Sequence, residues 1–191
     1  MEIHVGFFDD EKNVQDYIQM ADGYDGEELI GIMRSYVPKG ARVLELGMGS
    51  GKDLEILKRY YAVTGSDSSE VFLNMYASTH TDADLLRLDA VTLNSDRSFD
   101  CIYSNKVLMH LTKEQLGQSL SRQRAILNEG GIIFHSFWEG DRVENMKDLL
   151  FFYYKKNELA RIVGLHFDVL GIEIYTEIER DDSLYVAARK R

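Results

Sequence analysis

A single cysteine among 191 residues excludes an intrachain disulfide and a thiolate metal cluster. Cys101 sits in the apolar run Phe99 to Tyr103, which suits a buried thiol in a reducing compartment and points to the cytoplasm. There is no stretch of 18 apolar residues, and the first residues are acidic and aromatic rather than basic then apolar. Neither a membrane span nor a signal peptide is therefore expected. Basic charge is scarce as well. The 22 Lys and Arg face 32 Asp and Glu, a formal charge of −10, and no basic cluster is longer than the terminal Arg189-Lys190-Arg191. Such a field repels a phosphate backbone, so nucleic acid is not an expected partner. His4, His80, His110, His135 and His166 are dispersed without metal-ligand spacing, and no metal site is expected. The one proline, Pro38, opens a Pro-Lys-Gly break between a helical start and everything that follows.

What remains is a regular alternation of helices and strands. Helices are expected from Glu11 to Met20 and from Gly26 to Tyr36, the second with Leu29, Ile30, Met33 and Val37 near helical spacing. Strands are expected over Arg42–Leu46, Ala62–Gly65, Ala83–Leu88, Phe99–Ser104 and Ile132–Phe137. Between them fall helices from Lys52 to Tyr60, from a Ser68 or Ser69 cap to about Ser78, and from Thr112 to Asn128. Thr112 with Gln115 reads as a capping box, and Gly130-Gly131 ends that helix. Helices around Val143–Tyr153 and Lys156–Val163 precede two last strands, Phe167–Glu179 and Leu184–Arg189, whose short separation suits a hairpin. The length fits one domain, residues 1–191. The fold class is α/β: a doubly wound, mixed, seven-stranded sheet, helices on both faces, an antiparallel C-terminal hairpin.

One segment speaks of chemistry. Val43-Leu44-Glu45-Leu46-Gly47-Met48-Gly49-Ser50-Gly51-Lys52-Asp53 reads as a buried strand, an open glycine turn and a polar helix start. A turn without side chains lets a ligand approach the main chain. The spacing is G-x-G-x-G, whereas a dinucleotide fingerprint needs a glycine where Lys52 stands. Glu45 puts an anion where a pyrophosphate would be unwelcome. The pattern suits a nucleoside cofactor with an amino-acid-like tail.

On these residues the chain resembles the class I S-adenosylmethionine-dependent methyltransferases of the small-molecule type, from about Val37 to its end. The resemblance implies S-adenosyl-L-methionine as cofactor, with Glu45, Gly47, Met48, Gly49 and Gly51 around it. It implies Asp67, with Ser68 beside it, for the ribose hydroxyls, and Asp89 with Ala90 for the adenine. Asn105 belongs to Ser104-Asn105-Lys106-Val107-Leu108-Met109-His110-Leu111, which matches the family's segment after the fourth strand, and Asn128-Glu129-Gly130-Gly131 matches its turn into the fifth. Residues 1–36 become a helical cap in which Tyr17 and Tyr24 close over the cofactor, Tyr17 being a candidate catalytic residue too. Residues 138–155 become an insert near the acceptor, shaped by Trp138, Glu139 and the aromatics at 151–154.

His110 is the other catalytic candidate. An imidazole titrates near neutrality and suits a general base, but at this position it could equally bond the backbone and hold the loop. Asp89 has a similar alternative as a surface loop acid, and His135, in an apolar strand, is core-facing or near the pocket floor. Asn105 is followed by Lys106-Val107 and not by Pro-Pro-Tyr, unlike the amino-group methyltransferases of nucleic acid and protein. The expected reaction is methyl transfer to a small organic acceptor by a monomer or homodimer. A cofactor-binding adaptor that transfers nothing stays open, while Lys52 and Glu45 disfavour a dehydrogenase.

Overall fold

The computed structural model describes residues 7–20, 23–146 and 149–191. His4, the cap positions 1–6 and 21–22 and the insert positions 147–148 lie outside the described residues.

Two helices, α1 (Glu11–Met20) and α2 (Glu27–Met33), precede β1 (Arg42–Leu46) and α3 (Lys52–Leu57). Then follow β2 (Ala62–Asp67), α4 (Glu70–Thr79), β3 (Leu85–Arg87), β4 (Phe99–Asn105) and α5 (Lys113–Ile126). The chain ends with β5 (Leu127–Trp138), β6 (Val143–Met146), β7 (Leu149–Phe152), α6 (Lys156–Gly164), β8 (Phe167–Tyr175) and β9 (Ser183–Lys190). Seven strands form one sheet in the order β3-β2-β1-β4-β5-β9-β8, and β6 pairs with β7 apart from it. All sheet neighbours run parallel except β9, which is antiparallel to both β5 and β8.

Period-two alternation explains why both faces of the sheet are covered. Leu44 and Leu46 of β1 join Leu116 and Leu120 of α5 and Leu159 and Val163 of α6 in one apolar cluster. Val43, on the other face, joins Leu29, Ile30 and Met33 of α2 and Ile56 and Leu57 of α3. Ser69 caps α4 and the capping box of Thr112 and Gln115 starts α5. The strand order reverses between β1 and β4, so the crevice for a ligand opens at their carboxyl ends.

One expected element is wrong. The stretch Val143–Tyr153 is no helix: β6 and β7 form an antiparallel hairpin that pairs Val143 with Phe152 and Met146 with Leu149. A short apolar and aromatic run has no decisive period, and pairing settles it as strand. The helices from Gly26 and Lys52 stop at Met33 and Leu57, earlier than expected, each going over into a tight turn. Gly130-Gly131 does not end α5, which stops at Ile126. The glycines lie instead in a bulge of β5, where the register jumps from Phe99↔Leu127 to Cys101↔Ile132 and Gly130 takes φ +72°. β8 ends at Tyr175, and Asp182 folds the following loop by accepting the amides of Glu177, Ile178 and Glu179 at 2.9, 3.0 and 2.8 Å.

Candidate active site

The glycine turn leaves β1 and is tied to β2. The amides of Gly47 and Met48 both donate to the Ser66 carbonyl, at 2.9 and 2.8 Å. Gly47 has φ +74°, and a Cβ there would stand 2.6 Å from Val107, so this glycine is required by packing. Gly49 differs. It has φ +50°, and a Cβ would meet nothing within 4 Å, so its backbone borders open space. That is the surface a ligand can approach. Met48 offers main chain only, since its side chain is buried with Leu54 and Tyr76.

Three carboxylates stand around this turn. Asp67, buried at the end of β2, accepts the Gly49 amide at 3.0 Å and the Ser69 amide at 2.9 Å, so it shapes the turn and keeps lone pairs to spare. Burial raises its pKa, against the pull of those amides. Asp53 of α3 accepts from the Gly26 amide at 2.8 Å, the Tyr103 hydroxyl at 2.6 Å and the Asn105 side-chain amide at 3.1 Å. One side chain thereby ties the start of α2 to α3 and to the end of β4. Glu45 is 3% exposed, and its Oε2 has no hydrogen-bond partner. Burial first, then Asp53 and Asp67, hold its pKa well above the usual carboxylate range.

The cap reaches this edge. The Ser69 hydroxyl donates to the Phe8 carbonyl at 2.6 Å, and Phe8 and Tyr17 pack on Phe72 of α4. The Tyr17 phenol is raised in pKa by burial, then by Asp67, Asp53 and Glu177. Tyr24 is exposed at the mouth of a cleft of about 570 Å³ whose walls include Glu28, Leu29, Asn105, Tyr175 and Glu177.

The remaining expected residues fall outside that cleft. Ser68 is exposed, and its carbonyl accepts from Arg87 at 3.3 Å. Asp89 is exposed and accepts the amides of Val91 and Thr92 at 3.1 and 2.9 Å, which folds the turn after β3, while Ala90 packs against the core. His110 lies beyond β4, where Nδ1 meets the Leu150 carbonyl at 2.8 Å and the ring meets Phe151 edge-on. A carbonyl only accepts, so Nδ1 carries the proton and Nε2 the lone pair. Burial lowers the pKa of this imidazole, opposed by the Leu150 carbonyl. His135 is core-facing: it bridges Ser104 and Gln123 at 2.8 Å each, and burial pushes it down to about 3. Trp138 caps Lys106, Glu139 pairs with Lys155 at 3.3 Å, and Tyr154 is fully buried against Phe137 and does not reach a cleft.

Sequence reasoning missed Asp53 and Lys106. Asp53 looks like any acid in a first helical turn, and only the fold buries it. Lys106 is 8% exposed, with Nζ 3.1 Å from the Tyr175 hydroxyl, 2.9 Å from the Ser183 hydroxyl, paired with Glu177 and 4.1 Å from the Trp138 ring centre. Its φ of +55° is unusual for a side chain of this size.

This sheet order, with a glycine turn and carboxylates at the carboxyl ends of β1 and β2, defines a Rossmann-like α/β fold. Residues 43–131 match the family model of the methyltransferase domain. The match spans β1 to the bulge of β5, the part of the chain that carries the glycine turn, Asp53 and Asp67. None of the curated proteins matches the sequence. Among solved structures, the 1,6-didemethyltoxoflavin-N1-methyltransferase of Burkholderia thailandensis is similar at 21% identity over 94% of this chain and 84% of its own, with a TM-score of 0.79. An S-adenosylmethionine-dependent methyltransferase of Clostridium acetobutylicum shares 14% identity over 92% and 98%, TM-score 0.75. The N-methyltransferase NodS of Bradyrhizobium japonicum shares 14% over 94% and 97%, TM-score 0.71. At such identities the likeness establishes the fold.

Proposed function

We propose that this protein is an enzyme that transfers the methyl group of S-adenosylmethionine to a small organic acceptor. The observation that carries the reading is the open backbone of Gly49 beside Asp67, with the unmatched Glu45 oxygen at the same strand edge. When bound, the cofactor supplies a methyl group activated by its sulfonium. The residues fit it: Asp67 has acceptor capacity for two hydroxyls, and Glu45 offers a carboxylate to a cationic tail. Tyr17 and the α1 side of the cap exclude water from the crevice, which strengthens every polar contact within it. The acceptor enters by the cleft between residues 23–29 and Tyr175–Glu177, where Asn105 forms part of the wall. Glu27 and Glu177 are paired with Arg59 and Lys106, and Asp25 and Glu28 add negative charge to that cleft, which favours an acceptor bearing an amine over one bearing a phosphate. The two bound groups need alignment more than acid–base help, since proximity alone supplies a large part of the barrier reduction.

Two proteins of similar fold support the small-molecule reading, one a 1,6-didemethyltoxoflavin-N1-methyltransferase and the other an N-methyltransferase. Among the described residues no helix is long and apolar enough to cross a membrane. Cytoplasmic action by a monomer or homodimer, without nucleic acid, completes the reading. The test is calorimetric titration with S-adenosylmethionine and NAD, followed by an acceptor screen scored by release of S-adenosylhomocysteine. Binding of the first and turnover with an amine are expected. Preference for NAD would reject the cofactor, and binding without turnover on any small acceptor would favour an adaptor.

A further inference from the structure

Among the described residues, Glu45 is the one buried carboxylate with an unpartnered oxygen. Its side chain leaves β1 on the face shared with Val43 and Tyr103, 97% shielded, and Oε2 is unpartnered. The groups facing it are named readily. From α3 comes Asp53, whose oxygens already take Gly26, Tyr103 and Asn105. From β2 comes Asp67, which takes Gly49 and Ser69. From β4 comes the neutral phenol of Tyr103. The nearby cations are committed elsewhere: Lys106 to Glu177, and Lys52 reaches the Tyr24 carbonyl at 3.4 Å on the exposed side. Among the described residues, then, none of the three acids has an ion-pair partner. Nor do they make a metal site, since no group of three metal-binding side chains exists there.

We propose that Glu45 binds the cofactor by proton exchange: it is a neutral acid in the empty protein and a carboxylate once the ammonium of the ligand's amino-acid tail lies against it, so that each cofactor bound sends one proton to solvent. This rests on the reading that the crevice binds S-adenosylmethionine. Three anions in a dry crevice without a cation repel one another, and the acid with fewest donors is the one that keeps its proton. Burial and the two neighbouring acids act on Glu45 in that direction. An arriving cation reverses the balance, and no bond changes other than the O–H of Glu45. The sign follows from linkage. A proton released on binding makes affinity rise with pH, by about ten-fold per unit, until the free protein's Glu45 is itself ionised.

The experiment is calorimetric titration of the full chain at one pH, about 6, in two buffers that both titrate there but differ in ionisation enthalpy, phosphate and Bis-Tris. The difference between the two binding enthalpies counts protons. S-adenosylmethionine and S-adenosylhomocysteine, which share the ammonium, are expected to release close to one proton each. Methylthioadenosine, which lacks the tail, is expected to release none. Glu45→Gln should abolish the release and weaken S-adenosylmethionine about ten-fold. If that variant does not fold, the comparison of the three ligands on the unaltered protein still decides. Buffer-independent enthalpies, equal release by methylthioadenosine, or release that persists in Glu45→Gln would each overturn the proposal while leaving the cofactor reading intact. Failure of S-adenosylmethionine to bind at all would instead reject that reading.

Discussion

The two halves of the crevice are built differently. At the glycine turn the ties of Asp67 are short in sequence: Gly49 and Asp67 are 18 residues apart, and Asp67 and Ser69 only two. Backbone amides donate both of these bonds. At the cleft lined by Tyr175 and Glu177, Lys106 reaches Tyr175, Glu177 and Ser183 across 69, 71 and 77 residues. Side chains make most of those ties. A site shaped by main chain and glycine depends on few residue identities, so many relatives can share it. One assembled from distant side chains can change with each of them, which is where acceptor choice would reside.

The largest effect should come from cutting the long ties. Lys106→Met leaves Glu177 and two hydroxyls without their ammonium, and removing one partner of a buried pair costs about 3–5 kcal/mol. Glu177 keeps some contact with solvent, so the lower end applies, roughly a 6–12 °C fall in melting temperature for a chain of this size. Affinity of the folded protein for S-adenosylmethionine should hold, because none of the cofactor-side ties passes through Lys106. Equal loss of cofactor affinity in calorimetry would show that the two halves are one unit.

Next is Gly49→Val. The protein offers no steric objection, so folding should suffer only the strain of an L-residue at φ +50°, about 1–3 kcal/mol. Cofactor affinity should drop by about a hundred-fold or more, some 2.7 kcal/mol, because the added side chain fills the open space. A variant that binds normally would make the loop a turn and nothing else.

This contrast also explains what the sequence made legible. Val43 to Asp53 carries strand, turn and helix start in consecutive residues, and the element order yields the seven-stranded sheet. Asp53 was invisible because burial of an acid depends on Gly26, Tyr103 and Asn105, which only the fold gathers. The hairpin over Val143–Phe152 was misread as helix because its register and its contact with His110 are set by partners outside the segment. Local physics was readable; tertiary choice was not.

A smaller effect is expected for Asp67→Ala. Loss of a buried, hydrogen-bonded carboxylate should weaken S-adenosylmethionine by about ten-fold or somewhat more, corresponding to about 1.5–3 kcal/mol. The Gly49 and Ser69 amides lose their acceptor as well, so Asp67→Asn, which keeps an acceptor oxygen, separates ribose contact from turn shape. If both variants bind like the parent, the ribose assignment fails.

The smallest effect belongs to His110, where the base and loop-holding roles make opposite demands. The Nδ1–H to Leu150 carbonyl bond and the edge contact with Phe151 fasten the β6–β7 hairpin to the segment after β4. His110 is absent from the walls of the cleft. The geometry therefore favours fastening, and His110→Gln, whose amide can donate to the same carbonyl, should cost about 1 kcal/mol or less in urea unfolding. With any acceptor from the screen, its rate should stay near that of the parent across roughly pH 6–9, a window that brackets an unperturbed imidazole. A base would behave otherwise. Burial lowers the pKa of this imidazole, the direction that leaves Nε2 its lone pair, and losing a base would slow turnover by about 10²–10⁴ with stability unchanged. A fall of that size would move His110 to the acceptor's side of the crevice and make the hairpin that holds it part of the catalytic apparatus.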